Sequence, residues 1–381
     1  MKRFAGLIAA LALAASMTAC GDGGKESETT PVAVVGPVTG QYASFGAQMS
    51  NGGQMAVDDI NAAGGVLGKK LDLDIGDDAC DPKQAVAVAN QMTANGVALV
   101  AGHYCSGSSI PASKVYAESN MVQISPASTN PAFTDDRAGP NIYRVCGRDD
   151  QQGGIAGKYL AAHFADKKIA FIHDKTAYGK GLVDETKKAL NTAGKNEEMY
   201  EAITAGEKDY SALVSKLKSA DIGAVYFGGL HTEAGLIIRQ MRDQGLTAPM
   251  MSGDGITDKE FVQIAGPGAA GTLMTFSPDA RKNPNAKAAV AAFKAKGIDP
   301  EAYTLYSYAA VQVLAKAMAE TGSSDGKKLA DWLHQGKPTQ TVIGEIAYDK
   351  KGDITRPDYV MYAWTKGTDG RIDYTGHELT Q

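Results

Sequence analysis

The sequence lacks the short motifs that mark several large classes of enzyme. Its 381 residues contain no G-x-x-x-x-G-K-[ST] phosphate loop, no H-E-x-x-H zinc motif, no C-x-x-C pair and no G-x-S-x-G nucleophile turn. The formal charge of −5 leaves no basic excess for holding nucleic acid. The six histidines include no pair spaced three or four residues apart, so we expect neither a metal site nor a cofactor. These absences favour binding over catalysis.

What is present is the composition of a folded protein. Hydrophobic residues make up 44% of the chain and charged residues 21%, which excludes wholesale disorder. The length suffices for two domains of ordinary size, each with its own core. No apolar run approaches the roughly 18 residues that a membrane-spanning helix needs.

The N-terminus has the pattern of an export signal. Two basic residues precede an apolar run of about 12 residues, which is too short to span a bilayer. We therefore expect residues 1–19 to be a signal peptide, and the rest to be exported to the periplasm or the cell surface. The segment that ends in Cys20 resembles the lipobox of bacterial lipoproteins, although Met17 stands where leucine is usual. The resemblance implies a lipid anchor on Cys20 and a tether over residues 20–31, and ordinary cleavage to a free protein is the alternative.

From residue 32 onward, short apolar strands alternate with amphipathic helices. Two successive series of this kind predict two α/β domains, each with a parallel sheet covered by helices on both faces. Strands are expected at 32–36, 71–77, 97–102, 122–125, 168–174, 199–204, 224–229, 249–253 and 271–276, and edge or antiparallel strands at 341–349 and 358–367. Helices are expected at 49–61, 83–95, 111–119, 152–165, 178–193, 211–219, 233–244, 286–296, 303–320 and 327–334.

Two loops that follow predicted strands are rich in hydroxyl groups. Ligands of parallel sheets bind beyond the carboxyl ends of the strands, where hydroxyl groups and the N–H groups of a helix start favour an anion such as a carboxylate. Capping of the next helix is the alternative role for each hydroxyl. The side chains concerned are Ser106, Ser108 and Ser109 in one loop and Ser125, Ser128 and Thr129 in the next.

A carboxylate that could pair with a cation is offered by Asp254 and by Glu233. Asp254 follows a predicted strand and lies between two glycines, where a binding role and a solvated turn are both open. The segment 266–271 fits G-x-G-x-x-G literally, but it follows a predicted helix and opens a strand, the reverse of a dinucleotide site. We therefore expect a turn there and rank a secreted dinucleotide enzyme below a binding protein.

Several segments carry a resemblance to a known family. They are DDACDPKQAVAVAN (77–90), GHYCS (102–106), SPASTNP (125–131), IHDKTAYGKGL (172–182), ITAGEKDYSALVSKLK (203–218) and IGEIAYDKKGD (343–353). In this order they resemble the leucine/isoleucine/valine-binding proteins of bacterial ABC importers. The resemblance implies the type I periplasmic binding protein fold, in which two doubly wound α/β lobes are joined by three hinge crossovers. The lobe boundaries that it implies are 32–147 with 279–356 for lobe 1, and 148–278 with 357–381 for lobe 2.

The resemblance also implies how each end of an amino acid is bound. The Ser106 hydroxyl and the backbone N–H groups near Ala127 and Thr129 would hold the α-carboxylate. Thr129 and Asp254 would receive the α-ammonium group. Because the two charged ends are then shared between lobes, the ligand binds the closed state better than the open one.

The side-chain pocket departs from the family pattern. The resemblance implies that Phe45 and Tyr178 line this pocket from opposite lobes. The family usually has tyrosine at the position of Leu230 and glutamate at the position of Asp254. Losing the tyrosine enlarges one side of the pocket, so the ranking among aliphatic amino acids stays open.

The remaining implications concern cysteines and partners. The family normally forms a disulfide at the positions of Cys80 and Cys105, which leaves Cys146 as a buried free thiol. The implied protein is a monomer without catalytic activity that delivers an apolar, branched-chain amino acid to the permease and ATPase subunits of an ABC importer. A sensor domain of the same fold, which reads amino acids, amides or small carboxylates, is the alternative.

Overall fold

A computed structural model describes residues 28–379 of the chain. The expected signal peptide (1–19) and the expected lipid anchor on Cys20 lie outside the described residues, as does most of the tether.

The first lobe is built on a five-stranded parallel sheet of order β2-β1-β3-β4-β5. The register places Val34 of β1 opposite Ile75 of β2 on one side and Ala101 of β3 on the other. Its strands are β1 (Thr29–Gly36), β2 (Lys70–Asp77), β3 (Leu99–Gly102), β4 (Val122–Ser125) and β5 (Ile142–Arg144). Its helices are α1 (Ala43–Ala62), α2 (Pro82–Ala94), α3 (Ser106–Glu118) and α4 (Ala132–Asp135).

The second lobe has a seven-stranded sheet of order β16-β13-β10-β9-β8-β6-β7. Its first five strands in the chain are parallel, and they are β6 (Ile169–His173), β7 (Met199–Ala202), β8 (Ala224–Gly228), β9 (Met250–Ser252) and β10 (Leu273–Phe276). The helices among them are α5 (Asp149–His163), α6 (Ala177–Thr192), α7 (Ser211–Ser219), α8 (His231–Asp243) and α9 (Glu260–Ala265). Every residue of β6 and β8 is buried, as expected for strands covered on both faces.

The chain returns to the first lobe after β10 and then goes back to the second. On the return it forms α10 (Lys287–Ala295), α11 (Thr304–Thr321), α12 (Gly326–Leu333) and the hairpin strands β11 (Thr339–Thr341) and β12 (Gly344–Ile346). It ends with β13 (Val360–Ala363), β14 (Thr365–Lys366), β15 (Ile372–Asp373) and β16 (Glu378–Leu379), of which β13 and β16 join the second sheet antiparallel. The chain therefore passes three times between the two sheets.

Two glycines of α1 permit close packing, Gly52 against α11 and Gly53 against β1. A Cβ atom on Gly52 would lie 2.0 Å from the carbonyl oxygen of Thr304, and one on Gly53 would lie 2.3 Å from Val34. Any larger side chain at either position would push α11 or β1 away. This contact ties the returning segment to the first lobe.

Three details differ from or refine the sequence prediction. Helix α3 begins at Ser106 and not at Pro111, so the three serines expected in a loop lie in its first turns. Pro111 lies inside the helix, where it removes one backbone hydrogen bond without ending it. The single strand expected at 341–349 is a hairpin that turns around Gly344, whose φ is +110°. The segment 266–271 forms a turn, as predicted.

Of the helices in residues 28–379, none combines the length and the apolar character that crossing a bilayer demands.

Candidate functional site

A cavity of about 310 Å³ lies where the carboxyl ends of the two sheets face each other. The first lobe lines it with Gln41, Tyr42, Cys80, Pro82, Tyr104, Cys105, Ser106, Gly107 and Ala127, and the returning segment adds Tyr303. The second lobe lines it with Lys175, Thr176, Ala177, Tyr178, Ala205, Leu230, Asp254 and Gly255. Nearly all of these residues follow a strand directly, which is where parallel sheets place ligand sites.

One end of the cavity is formed by the start of α3. Ser106 is 1% exposed, and its Oγ atom accepts a hydrogen bond from the Asn130 N–H at 3.2 Å, which leaves the hydroxyl proton for another acceptor. No side chain in the described part of the chain caps α3, and Cys105, Ser106 and Gly107 all line the cavity. The positive end of the helix dipole and a hydroxyl donor therefore meet at a place suited to a carboxylate.

A disulfide fixes this end of the cavity. Cys80, in the loop after β2, is bonded to Cys105, which immediately precedes α3, across 25 residues of sequence. The predicted pairing is therefore confirmed, and the bond holds the start of α3 against the neighbouring loop. Cys146 is a buried free thiol, also as predicted.

Asp254 lines the cavity from the second lobe. Its side chain is 3% exposed, so it is not a solvated turn residue. The Tyr178 hydroxyl donates to its Oδ1 at 2.7 Å, the Tyr303 hydroxyl donates to its Oδ2 at 2.6 Å, and Gln152 Nε2 lies 3.2 Å from Oδ1. Burial raises the pKa of Asp254, and these hydrogen bonds oppose the rise. All three donors are uncharged, so a cationic group of a ligand would be well placed to stabilise the carboxylate.

The other residues expected at the site differ in their distance from the cavity. Ala127, Tyr178 and Leu230 line it. Phe45 is fully buried behind this wall, where its ring stacks on Tyr104 with 4.4 Å between ring centres. Thr129 is also fully buried, and its Oγ1 atom has no hydrogen-bond partner of good geometry in residues 28–379.

Sequence reasoning did not point to Tyr104, Tyr303 or Gln152. Gln152 Oε1 accepts hydrogen bonds from the Asp254 N–H at 2.9 Å and from Thr275 Oγ1 at 2.8 Å, so it orients the acidic end of the cavity. The rings of Tyr104 and Tyr303 meet edge to face, with 5.0 Å between their centres. These three residues come from separate segments of the chain, and nothing in their local sequence indicates a shared site.

Glu233, the second carboxylate considered, joins the lobes beside the cavity. It is fully buried and accepts hydrogen bonds from Gln41 Nε2 at 2.8 Å, from the Tyr42 hydroxyl at 3.1 Å and from the Gly206 N–H at 2.8 Å. The first two donors belong to the first lobe. Glu233 therefore acts in the contact between lobes, which are closed upon each other around the cavity.

A histidine and two carboxylates also converge at the lobe contact. Ligand atoms of His231, Asp258 and Glu260 lie within 4.8 Å of one another. His231 Nε2 lies 3.2 Å from the Glu260 carboxylate, and Asp258 accepts hydrogen bonds from Gln48 Nε2 at 2.7 Å and from the Glu260 N–H at 2.8 Å. Asp258 and Glu260 thus have protein partners, whereas His231 Nδ1 is buried without a hydrogen-bond partner in residues 28–379.

Two α/β lobes that close over one small cavity, with a helix start and a hydroxyl group from one lobe and a buried acid from the other, define a bilobed solute-binding protein. The sequence model of the periplasmic binding protein family matches residues 29–369, and the chain belongs to that family.

Relatives with known names agree with this assignment. The chain is 54% identical over 338 residues to Leu/Ile/Val-binding protein homolog 1 of Brucella suis, covering 89% of this chain and 91% of the relative. It is 51% identical over 336 residues to the amino acid binding protein of Pseudomonas aeruginosa, covering 87% of this chain and 89% of that one.

Solved structures with the same fold include branched-chain amino-acid binders. The substrate-binding protein LivJ of Streptococcus pneumoniae, solved in complex with isoleucine, superposes with a TM-score of 0.80 at 28% identity, covering 90% of this chain and 97% of that one. The leucine-binding protein LivK of Thermotoga maritima gives a TM-score of 0.82 at 26% identity, with 91% and 97% covered.

Proposed function

We propose that this protein binds an apolar, branched-chain L-amino acid in the cavity between its lobes and delivers it to the permease of an ABC importer. The observation that carries the proposal is that one cavity offers a partner for each charge of an amino acid, from opposite lobes. The start of α3 with Ser106 suits a carboxylate, and the buried Asp254 suits an ammonium group. The names of the relatives and the isoleucine complex of the S. pneumoniae protein support the same class of ligand.

The two charged groups on the Cα atom of the ligand would be bound by different lobes. In this proposal the Ser106 hydroxyl and the backbone N–H groups near Ala127 hold the α-carboxylate from the first lobe. Asp254 holds the α-ammonium group from the second lobe, and the Thr129 hydroxyl contributes to both ends. Ligand contacts made only when the lobes are closed then favour closure, which Glu233 supports by direct contact.

The ligand side chain would lie against the apolar part of the wall. Tyr178 and Leu230 line this region in the second lobe, and Phe45 backs it through Tyr104 in the first. The cavity volume of about 310 Å³ is at the small end of the range for small-molecule sites, which fits a single amino acid.

We further propose that the protein works outside the cytoplasm as a monomer without catalytic activity. Residues 1–19 would direct export, and acylated Cys20 would anchor the chain through the tether 20–31. The outer faces of the closed lobes would dock on the permease, whose ATPase subunits drive transport. Lobe boundaries at 147/148, 278/279 and 356/357 would form the hinge.

Ligand analogues that lack one charged group test the proposal. Calorimetric titration would compare leucine with isocaproate, which lacks the ammonium group, and with isopentylamine, which lacks the carboxylate. We expect both analogues to bind at least about 100-fold more weakly. Isocaproate leaves the buried Asp254 carboxylate unpaired, and isopentylamine leaves several hydrogen bonds to a charged group unmade, at a cost of about 3 kcal/mol or more in each case. Isocaproate binding as tightly as leucine would exclude the role given to Asp254.

A further inference from the structure

A second buried carboxylate lies close to Asp254. Asp149 is the first residue of α5 and is fully buried, and its backbone N–H donates to the Thr129 carbonyl oxygen at 2.9 Å. Its Oδ2 atom has no hydrogen-bond partner of good geometry in residues 28–379. An ionised carboxylate is costly in such a place unless a proton or a cation stabilises it.

Gln152 links Asp149 to Asp254. Its Nε2 atom lies 3.4 Å from Asp149 Oδ1 and 3.2 Å from Asp254 Oδ1. The orientation of the amide is fixed, because its Oε1 atom accepts from the Asp254 N–H and from Thr275. Two buried carboxylates therefore share one uncharged amide group.

Apart from the positive end of the α5 dipole, the surroundings of Asp149 offer little positive charge. The titratable groups that face it are Arg144, Cys146, Asp150, Tyr178, Tyr226, Asp254 and Tyr359. Of these groups Arg144 alone is a cation, and its Nε atom already lies 2.8 Å from Asp353 Oδ1. Burial raises the pKa of Asp149 and the charge of Asp254 raises it further, while the Thr129 hydroxyl and the charge of Arg144 oppose the rise without cancelling it. Two like charges in one buried site favour a state in which one of them is neutral.

We propose that Asp149 and Asp254 hold one proton between them in the empty cavity and release it when the ammonium group of an amino acid binds beside Asp254. This inference rests on the proposed function. The ligand keeps its ammonium proton, both carboxylates become ionised, and the released proton passes to solvent. No bond other than the O–H bond of the carboxyl group is broken. Asp149 is thus a positioning residue that makes ligand affinity depend on pH.

Calorimetry in buffers of different ionisation enthalpy tests the proposal. The wild-type protein should release about one proton for each leucine bound, and below neutral pH its Kd for leucine should fall by up to about tenfold for each unit that the pH rises. Asp149→Asn should still bind leucine but release no proton. Asp166→Asn, at an exposed acid that pairs with Lys167, is the matched control and should behave as wild type.

Each outcome separates the proton proposal from the proposed function. Leucine binding by the wild-type protein without any dependence on the buffer would overturn the proton proposal and leave the proposed function intact. Proton release that persists in Asp149→Asn would also overturn it. Failure of every amino acid to bind would overturn both. If Asp149→Asn does not fold, Asp149→Ser replaces it, and the wild-type buffer dependence decides the release on its own.

Discussion

Replacing Asp254 with asparagine removes one negative charge from the cavity and keeps the shape of the side chain. The carboxylate is 3% exposed and accepts hydrogen bonds from Tyr178 and Tyr303. Asparagine preserves one of the two acceptor oxygens, so the tyrosines keep most of their positions. What is lost is the charge that the ligand ammonium would meet.

The size of the effect follows from burial. Removing one partner of a buried, hydrogen-bonded ion pair costs about 3–5 kcal/mol. At about 1.4 kcal/mol for each power of ten, the Kd for leucine should rise by a factor of about 10² to 4 × 10³. The free energy of unfolding of the empty protein should not decrease in Asp254→Asn, because burial disfavours the charge of Asp254 when no ligand is present.

Calorimetric titration measures the Kd for leucine, and thermal unfolding without ligand measures the stability of the empty protein. Asp58→Asn is a suitable control, because Asp58 is an exposed acid that pairs with Lys296 far from the cavity. An Asp254→Asn protein that binds leucine within threefold of the wild type would refute the assignment of the ammonium site.

Three further changes have expected outcomes of their own. Leu230→Tyr should shift preference toward leucine, isoleucine and valine over larger apolar amino acids by about tenfold, measured as a ratio of Kd values, because the added ring fills the pocket. Replacing both Cys80 and Cys105 by serine should lower the free energy of unfolding in denaturant by about 3–4 kcal/mol, since the bond closes a loop of 25 residues. Burial raises the pKa of Asp174 to about 6 from 3.8, so the folded state binds this proton more tightly than the unfolded chain does. The free energy of unfolding should therefore fall by up to about 3 kcal/mol as the pH rises from about 4 to about 6, and Asp174→Asn should flatten that dependence.

Each of these expectations has a contradicting result. An unchanged ligand ranking in Leu230→Tyr would show that residue 230 does not contact the ligand side chain. Equal stability of the oxidised protein and the double serine variant would show that the disulfide does not restrict the unfolded chain. If the free energy of unfolding of Asp174→Asn depends on pH as in the wild type, other buried acids cause that dependence.

The alternation of strands and helices was predictable because the first sheet and the first five strands of the second are parallel, and their inner strands are buried. Strands such as 169–173 and 224–228 are short apolar runs, and the helices between them carry one apolar face. The start of α3 was predicted five residues late. Proline is a common first residue of helices, but Pro111 lies inside this one. The hairpin at β11 and β12 was missed because its Gly344 turn interrupts an otherwise regular alternation.

The site was predictable only where a loop motif or the family resemblance marked it. Ser106 and Asp254 directly follow strands, so their place at the cavity could be expected from chain order. Tyr303 could not, because it reaches the cavity from the segment that returns to the first lobe. The link between Asp149 and Asp254 joins residues about 100 positions apart and depends on how α5 packs against the second sheet.

Titration of the purified protein with the twenty amino acids tests the central claim most directly. We predict that leucine, isoleucine, valine or another apolar amino acid binds with saturation, and that acidic and basic amino acids bind far more weakly. Absence of binding by every amino acid, together with binding of a carboxylate that has no amino group, would contradict the account.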